Sequence, residues 1–314
     1  MRHLSVLRRR SATSVLALPV RPGRAAALIA EGFTVIADWS EARDRGATHA
    51  VIATATGRHA ADVVAAAQAG CHVLVEKPLA VDAAAAREAV AGSTRAGRGV
   101  WVGCCLRFRA SLQRFAQRLP EIGRVHAVRI ECQSYLPDWR PGREYRDAYS
   151  ASADEGGVLR DLIHEIDYAG WLYGWPSALQ ARLSNSGRLG IAAEDAADLL
   201  WHTDTGATVS VRLDYLSRPP RRRMRASGES GTLCWDGITN TVRLAPAAGP
   251  VSVERHDEGR DDMYTRQDAA FVEATPGQFD ARLATAADGV RALAVCDAAR
   301  RASADRRHVT VEQG

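Results

Sequence analysis

Three side chains in this sequence have the type and company that acid–base chemistry requires: Lys77, Asp161 and His164. Lys77 is the only lysine in a chain with 41 Lys and Arg residues. Arginine keeps its proton, with a pKa above about 12, so a site that needs a cation able to lose its proton cannot use it. Lys77 stands in Glu76-Lys77-Pro78, directly after the apolar run Cys71–Val75. The proline restricts the lysine backbone to extended geometry and so fixes where the side chain points. A lysine held there orients a hydroxyl and shares its proton. The competing reading is a loop lysine that survived a strong Arg and Ala bias.

Asp161 and His164 follow the pair Gly156-Gly157, which admits close approach of backbone or ligand at the start of an apolar helix. The spacing predicts one helix over roughly 158–173, with Asp161 and His164 on a shared face and Tyr168 and Trp171 on the His164 stripe. A histidine beside a carboxylate serves as acid or base toward a hydroxyl or carbonyl; the competing reading is a capped helix with a satisfied histidine. No metal is expected, because His164-Glu165-Ile166-Asp167 lacks the second histidine of H-E-x-x-H.

These residues need elements to position them. From residue 14 to about 105, apolar runs (15–20, 33–37, 49–54, 71–75, 99–104) alternate with Ala-rich helical stretches (24–31, 58–69, 82–96, 107–119). That pattern predicts a Rossmann-type, doubly wound parallel sheet, whose ligands sit beyond the carboxyl ends of the strands, where Lys77 falls. After about 120 strands dominate: 125–135, 177–185, 196–203, 207–216, 222–227, 231–236, 241–245 and 251–255. With helices at 158–173, 261–274 and 280–303, they predict an α+β domain with a large, mostly antiparallel open sheet. A length of 314 residues accommodates two domains, read here as 1–120 and 121–314.

Composition narrows the function classes. Apolar residues at 46%, charged residues at 25% and a net charge of +4 fit an ordinary globular enzyme and give no footprint for nucleic acid. No 18-residue apolar stretch predicts a membrane span. The cysteines, at 71, 104, 105, 132, 234 and 296, form no C-x-x-C pair and suit a reducing cytoplasm. The first acid is Glu31, behind Arg2, Arg8, Arg9, Arg10, Arg21 and Arg24. This describes either an organellar transit peptide or a basic helix followed by a strand, and the second reading is taken here.

The motifs together resemble the glucose–fructose oxidoreductase / inositol dehydrogenase / MocA-like (Gfo/Idh/MocA) oxidoreductases. The resemblance runs through His49–Thr54 with Thr56 and His59, Ala69–Leu79, Leu106-Arg107-Phe108, Gly156-Gly157-Val158, His164–Asp167 and Gly231–Asp236. It implies a dinucleotide-binding domain followed by an open-sheet α/β domain, and hydride transfer between NAD(P) and a carbinol carbon of a sugar, cyclitol or related compound. It assigns Lys77 and His164 as the catalytic pair, with Asp161 supporting them. Thr54, Thr56, His59, Glu76 and Lys77 fall on the cofactor side. Many relatives carry the aspartate four residues before the histidine, where this chain has Arg160.

The family's opening strand and G-x-G-x-x-G turn do not precede Met1-Arg2-His3-Leu4, which resembles the helix that follows that turn. A strand and turn encoded upstream are expected rather than lost. The stretch Pro19–Arg24 has no acid for a ribose 2′-hydroxyl, while Arg21 or Arg24 meets a 2′-phosphate, which tilts the choice from NAD toward NADP. The segment Tyr135-Leu136-Pro137-Asp138-Trp139, followed by Tyr145-Arg146 and Tyr149-Ser150, resembles a carbohydrate-binding loop of members associated with surface-sugar or amino-sugar pathways. Arg107, Arg146 and the arginines at 221–223 offer an anionic group, such as a nucleotide-sugar phosphate, a partner; surface charge is the alternative. The resemblance also implies a homo-oligomer through the second domain's sheet. Two other functions stay open: a redox-assisted NAD-dependent glycosidase, and a non-catalytic sugar sensor or partner subunit.

Overall fold

The computed structural model describes residues 2–10, 14–21 and 23–312; Met1 and Pro22, part of stretches read above, lie outside them. The chain forms two compact units. The first comprises Met1–Ala80, Ala84–Phe108 and Gly259–Ala286, and the second Val81–Ala83, Arg109–Glu258 and Ala287–Gly314. The sequence reading placed one break near 120. The chain instead changes unit at Phe108–Arg109 and returns to the first unit after Glu258.

The first unit alternates helix and strand: α1 (Arg2–Arg8), β1 (Leu16–Ala17), α2 (Arg24–Ala30), β2 (Thr34–Val35), α3 (Trp39–Asp44), β3 (His49–Ile52), α4 (His59–Gln68), β4 (His72–Glu76), α5 (Ala83–Arg95) and β5 (Val100–Gly103). Strands β3, β4 and β5 run parallel. They are apolar because both faces are covered; Val73, Leu74 and Val75 of β4 are wholly buried. Strands β1 and β2 form a separate parallel pair. Helix α3 is capped reciprocally: Asp38 accepts from the Glu41 N–H at 2.9 Å, and Glu41 accepts from the Ala37 N–H at 2.9 Å.

The returning segment supplies α9 (Asp262–Val272) and β14 (Ala284–Thr285), and β14 pairs antiparallel with β5. Phe271 of α9 is fully buried in a cluster with Leu74, Trp101, Phe108 and Leu283. That apolar burial holds a segment from the end of the chain in the first unit, against sequence order.

The second unit holds α6 (Ala110–Arg118), β6 (Val125–Gln133), α7 (Val158–Asp161), α8 (His164–Tyr173), β7 (Ala178–Ser184), β8 (Ala196–His202), β9 (Thr208–Asp214), β10 (Arg221–Gly228), β11 (Gly231–Asp236), β12 (Thr241–Pro246), β13 (Ser252–Arg255), α10 (Ala286–Asp305) and β15 (Val309–Thr310). Nine strands form one sheet in the order β13-β12-β11-β10-β6-β9-β8-β7-β15. Only the β6–β9 pair is parallel. Alternate residues such as Ile130, Trp201, Val211, Met224 and Trp235 are buried, while Arg129, Arg223 and Arg225 on the opposite pleat are exposed.

The single helix expected over 158–173 is broken. Helix α7 ends at Asp161, Leu162 leaves helical geometry at φ −99° and ψ 30°, and α8 begins at His164. Asp161 and His164 therefore do not share the face of one continuous helix.

Candidate active site

The first unit carries Lys77. Strand β4 delivers Glu76 and Lys77 to its carboxyl end, and the Lys77–Pro78 peptide is cis. One oxygen of Glu76 accepts the Lys77 backbone N–H at 3.1 Å. The other accepts from His3 Nε2 at 2.8 Å, and His3 Nδ1 lies 2.9 Å from both carboxylate oxygens of Asp268. An imidazole between two carboxylates donates from both nitrogens only as the cation. Burial pushes His3 down, but the hydrogen bonds and charges of Asp268 and Glu76 outweigh it and lift the group to about 9. Burial pushes Glu76 the other way and is likewise outweighed, by His3 and then Lys77, so its carboxyl sits below the usual range. Gly103 of β5 leaves the space that Glu76 uses: a Cβ there would lie 3.3 Å from the Glu76 carboxyl carbon.

His59 braces the same turn. Its Nδ1 donates to the Pro78 carbonyl at 2.7 Å, and its Nε2 lies 3.3 Å from the Thr54 carbonyl. Thr54 donates to Asp62 at 2.8 Å, and Thr56 is buried. His59 thus ties the end of β3 to the residue after Lys77. At the end of β1, Arg21 is exposed and Arg24 opens α2, with no acid between Ser14 and Arg24. Arg21 and Arg24 thus stand past β1, and Thr54, Glu76 and Lys77 at the carboxyl ends of β3 and β4. Arg107 is almost wholly buried in the turn Cys105–Phe108 of this unit, with its N–H on the Cys104 carbonyl at 3.0 Å.

The second unit carries Asp161 and His164. Gly156 and Gly157 admit the 149–152 backbone: the Gly157 N–H donates to the Ser150 carbonyl at 3.2 Å, and the Gly156 N–H to the Ser152 carbonyl at 2.9 Å. A Cβ on Gly156 would lie 2.0 Å from the Tyr149 carbonyl oxygen, so only glycine fits. That approach puts two hydroxyls on Asp161. Tyr149 donates to Oδ1, and Ser150 donates to Oδ2 at 2.6 Å. Tyr215, at the end of β9, donates to Oδ2 at 3.1 Å. Burial and the Asp161 charge push the Tyr215 phenol well up, so it remains a donor. Trp139 meets the Tyr215 ring edge-on at 5.3 Å and donates to Ser134 at 2.8 Å.

The loop residues expected to face a sugar thus separate. Tyr149 and Trp139 join the Asp161 network, with Tyr149 half-buried. Tyr145 gives its hydroxyl to the Leu189 carbonyl at 2.9 Å, and Arg146 pairs with Glu144 at 3.1 Å. Tyr135 lies under the Arg218 guanidinium, 3.6 Å from ring centroid to the guanidinium carbon, and Arg218 pairs with Asp138. Sequence reasoning missed His3, Asp268 and Tyr215. Tyr215 was findable as a polar residue just past an apolar strand end, and Asp268 as a carboxylate on the apolar face of α9.

Residues 2–104 match the family described as "Oxidoreductase family, NAD-binding Rossmann fold", and residues 118–234 match "GFO/IDH/MocA C-terminal domain". A D-apiose dehydrogenase of Paraburkholderia graminis is 32% identical over 268 residues, 71% of this chain and 68% of that protein. The chain belongs to the Gfo/Idh/MocA oxidoreductase family. The 1,5-anhydro-D-fructose reductase of Ensifer adhaerens is 27% identical over 274 residues, 84% of this chain and 79% of that protein. A levoglucosan dehydrogenase in complex with NADH shares the fold, with a TM-score of 0.86 at 19% identity over 100% of this chain and 95% of that one. As a Gfo/Idh/MocA member the chain is a nicotinamide-dependent oxidoreductase.

Proposed function

We propose that the chain transfers hydride between NADP, in preference to NAD, and a carbinol or keto carbon of a sugar, amino sugar, nucleotide sugar or cyclitol. The observation that carries this is Lys77: the one lysine of the chain, at the carboxyl end of a buried parallel strand, its backbone bonded to a carboxylate that a buried histidine neutralises. A bound nicotinamide supplies the hydride acceptor or donor. In oxidation, Lys77 and His164 orient the substrate hydroxyl and take its proton; in reduction they return it. Asp161 acts through Tyr149, holding that phenol in place from below. Tyr149 and Trp139 offer a hydroxyl and an aromatic face to a sugar ring. The relatives support the substrate class, since one is a D-apiose dehydrogenase and another a 1,5-anhydro-D-fructose reductase.

Arg21 and Arg24, with no acid beside them, support NADP. The open face of the nine-stranded sheet, with Arg129, Arg212 and the 40% exposed Leu200, is the surface proposed for a homo-oligomer. Six free cysteines support a cytoplasmic location, and no helix among the described residues is long and apolar enough to cross a membrane. The test is a coenzyme-linked assay with NADP(H) and NAD(H) over a panel of aldoses, amino sugars, nucleotide sugars and cyclitols. Reversible coenzyme turnover with one class is expected. Sugar release without net coenzyme turnover, or binding of sugar without either, would replace this reading with the glycosidase or the sensor.

A further inference from the structure

His3 stands far from Lys77 in function as the sequence reads, yet three observations tie them together. His3 is 8% exposed and is gripped on both ring nitrogens by Glu76 and Asp268 at 2.8–2.9 Å. Glu76 uses its second oxygen to accept the Lys77 backbone N–H at 3.1 Å. Gly103 of β5 lies beside Glu76, where a Cβ would come within 3.3 Å of the Glu76 carboxyl carbon. We propose that His3 is a positioning residue for Lys77: the imidazolium, anchored by Asp268, holds and neutralises Glu76, so that the carboxylate fixes the Lys77 backbone without locking the ammonium in its charged form. This rests on the reading of Lys77 as the acid–base group.

A bare carboxylate on the preceding residue stabilises a lysine ammonium and makes its proton harder to lose. A cation bonded to that carboxylate cancels the effect. The remaining ionisable groups at His3 leave this intact. Tyr264 of α9 meets the imidazole edge-on at 5.6 Å, and Arg2 lies over the Tyr264 ring at 4.7 Å and pairs with Asp261 at 3.0 Å. Cys105 adjoins Tyr264 and Arg2, and burial pushes the Tyr264 phenol up, so it remains neutral. His3 is therefore the cation hydrogen-bonded to the Glu76 carboxylate.

Because Lys77 is the only lysine, its titration is measurable directly, without a substrate. The full chain is reductively methylated with ¹³C-formaldehyde, and the dimethyl-lysine signal is followed by NMR against pH, with Lys77→Arg assigning it against the α-amine. Lys77 is expected to titrate higher in His3→Gln than in the unsubstituted chain, by up to about one pH unit, the rise being fullest where Lys77 titrates below the pH near 9 at which His3 gives up its own proton. The double variant His3→Gln/Glu76→Gln is expected to cancel most of that rise. A folded His3→Gln chain with an unmoved Lys77 titration overturns the proposal, as does a rise that persists in the double variant. If His3→Gln does not fold, His3→Asn, which removes the same charge, provides the comparison, with a similar rise expected and an unmoved titration overturning the proposal. Failure of Lys77 as the acid–base group is read separately, as undiminished coenzyme turnover by Lys77→Ala.

Discussion

The His3 clasp makes the first unit's stability depend on pH in a stated direction. His3 is lifted from 6.5 to about 9 by its two carboxylates. A displacement of about 2.5 in pKa, at about 1.4 kcal/mol each, corresponds to about 3 kcal/mol of linkage. Because the folded value is the higher one, that stabilisation is complete below pH 6.5 and is lost as pH rises through about 9. Glu76 is held below its usual range by the same contact, so its share is the same interaction seen from the other side and disappears as pH falls into the carboxylate range. The perturbation is His3→Gln, which keeps a hydrogen-bonding side chain and removes the charge. The assay is urea unfolding at pH 6 and pH 9.5, read from hydrogen-exchange protection of the β4 amides Val73–Val75, which belong to the first unit's buried sheet. The unsubstituted chain is expected to lose about 3 kcal/mol more than the variant between the two pH values. Equal losses in both chains would refute the reasoning, because they would show that His3 carries no charge-dependent link.

Two further outcomes follow from the geometry. Tyr149→Phe keeps the ring but leaves Asp161 with the Ser150 and Tyr215 donors; a fall in kcat of about 10- to 100-fold with a stability loss of about 1 kcal/mol is expected, checked by steady-state kinetics and thermal unfolding. Arg21→Glu/Arg24→Ala places a carboxylate where a ribose 2′-hydroxyl binds and removes the cations. The ratio of NADP to NAD affinity, measured by coenzyme fluorescence titration, is expected to fall by 10-fold or more, about 1.4 kcal/mol.

Much of the scaffold was legible because its signals are local. Val73-Leu74-Val75 reads as a buried strand, and the position of Lys77 just past its end follows from that alone. The alternation along β8 to β12 likewise reads as a sheet with one buried face. The Asp161 network was half legible: Gly156-Gly157 implied a close approach, and the Tyr149 backbone makes it. The partner at Tyr215 lies 54 residues from Asp161, beyond any local pattern. The break at Leu162–Ile163 was invisible because Val158–Tyr173 keeps helical spacing throughout. Helix α3 was missed despite the Asp38–Glu41 capping signature, since six residues carry too little apolar periodicity. The His3 clasp had no local signal: its carboxylates lie 73 and 265 residues away, the second on a segment that rejoins the first unit through the burial of Phe271 and the pairing of β14 with β5.

The central claim is that Lys77 moves the substrate's proton during hydride transfer. It is tested most directly by comparing kcat of the unsubstituted chain and Lys77→Ala on whichever sugar or cyclitol the coenzyme-linked panel identifies, alongside the coenzyme Kd of each. A loss in kcat of about 10²–10⁴-fold is expected, with the Kd changed by no more than a few-fold. Equal turnover by the two chains would contradict it.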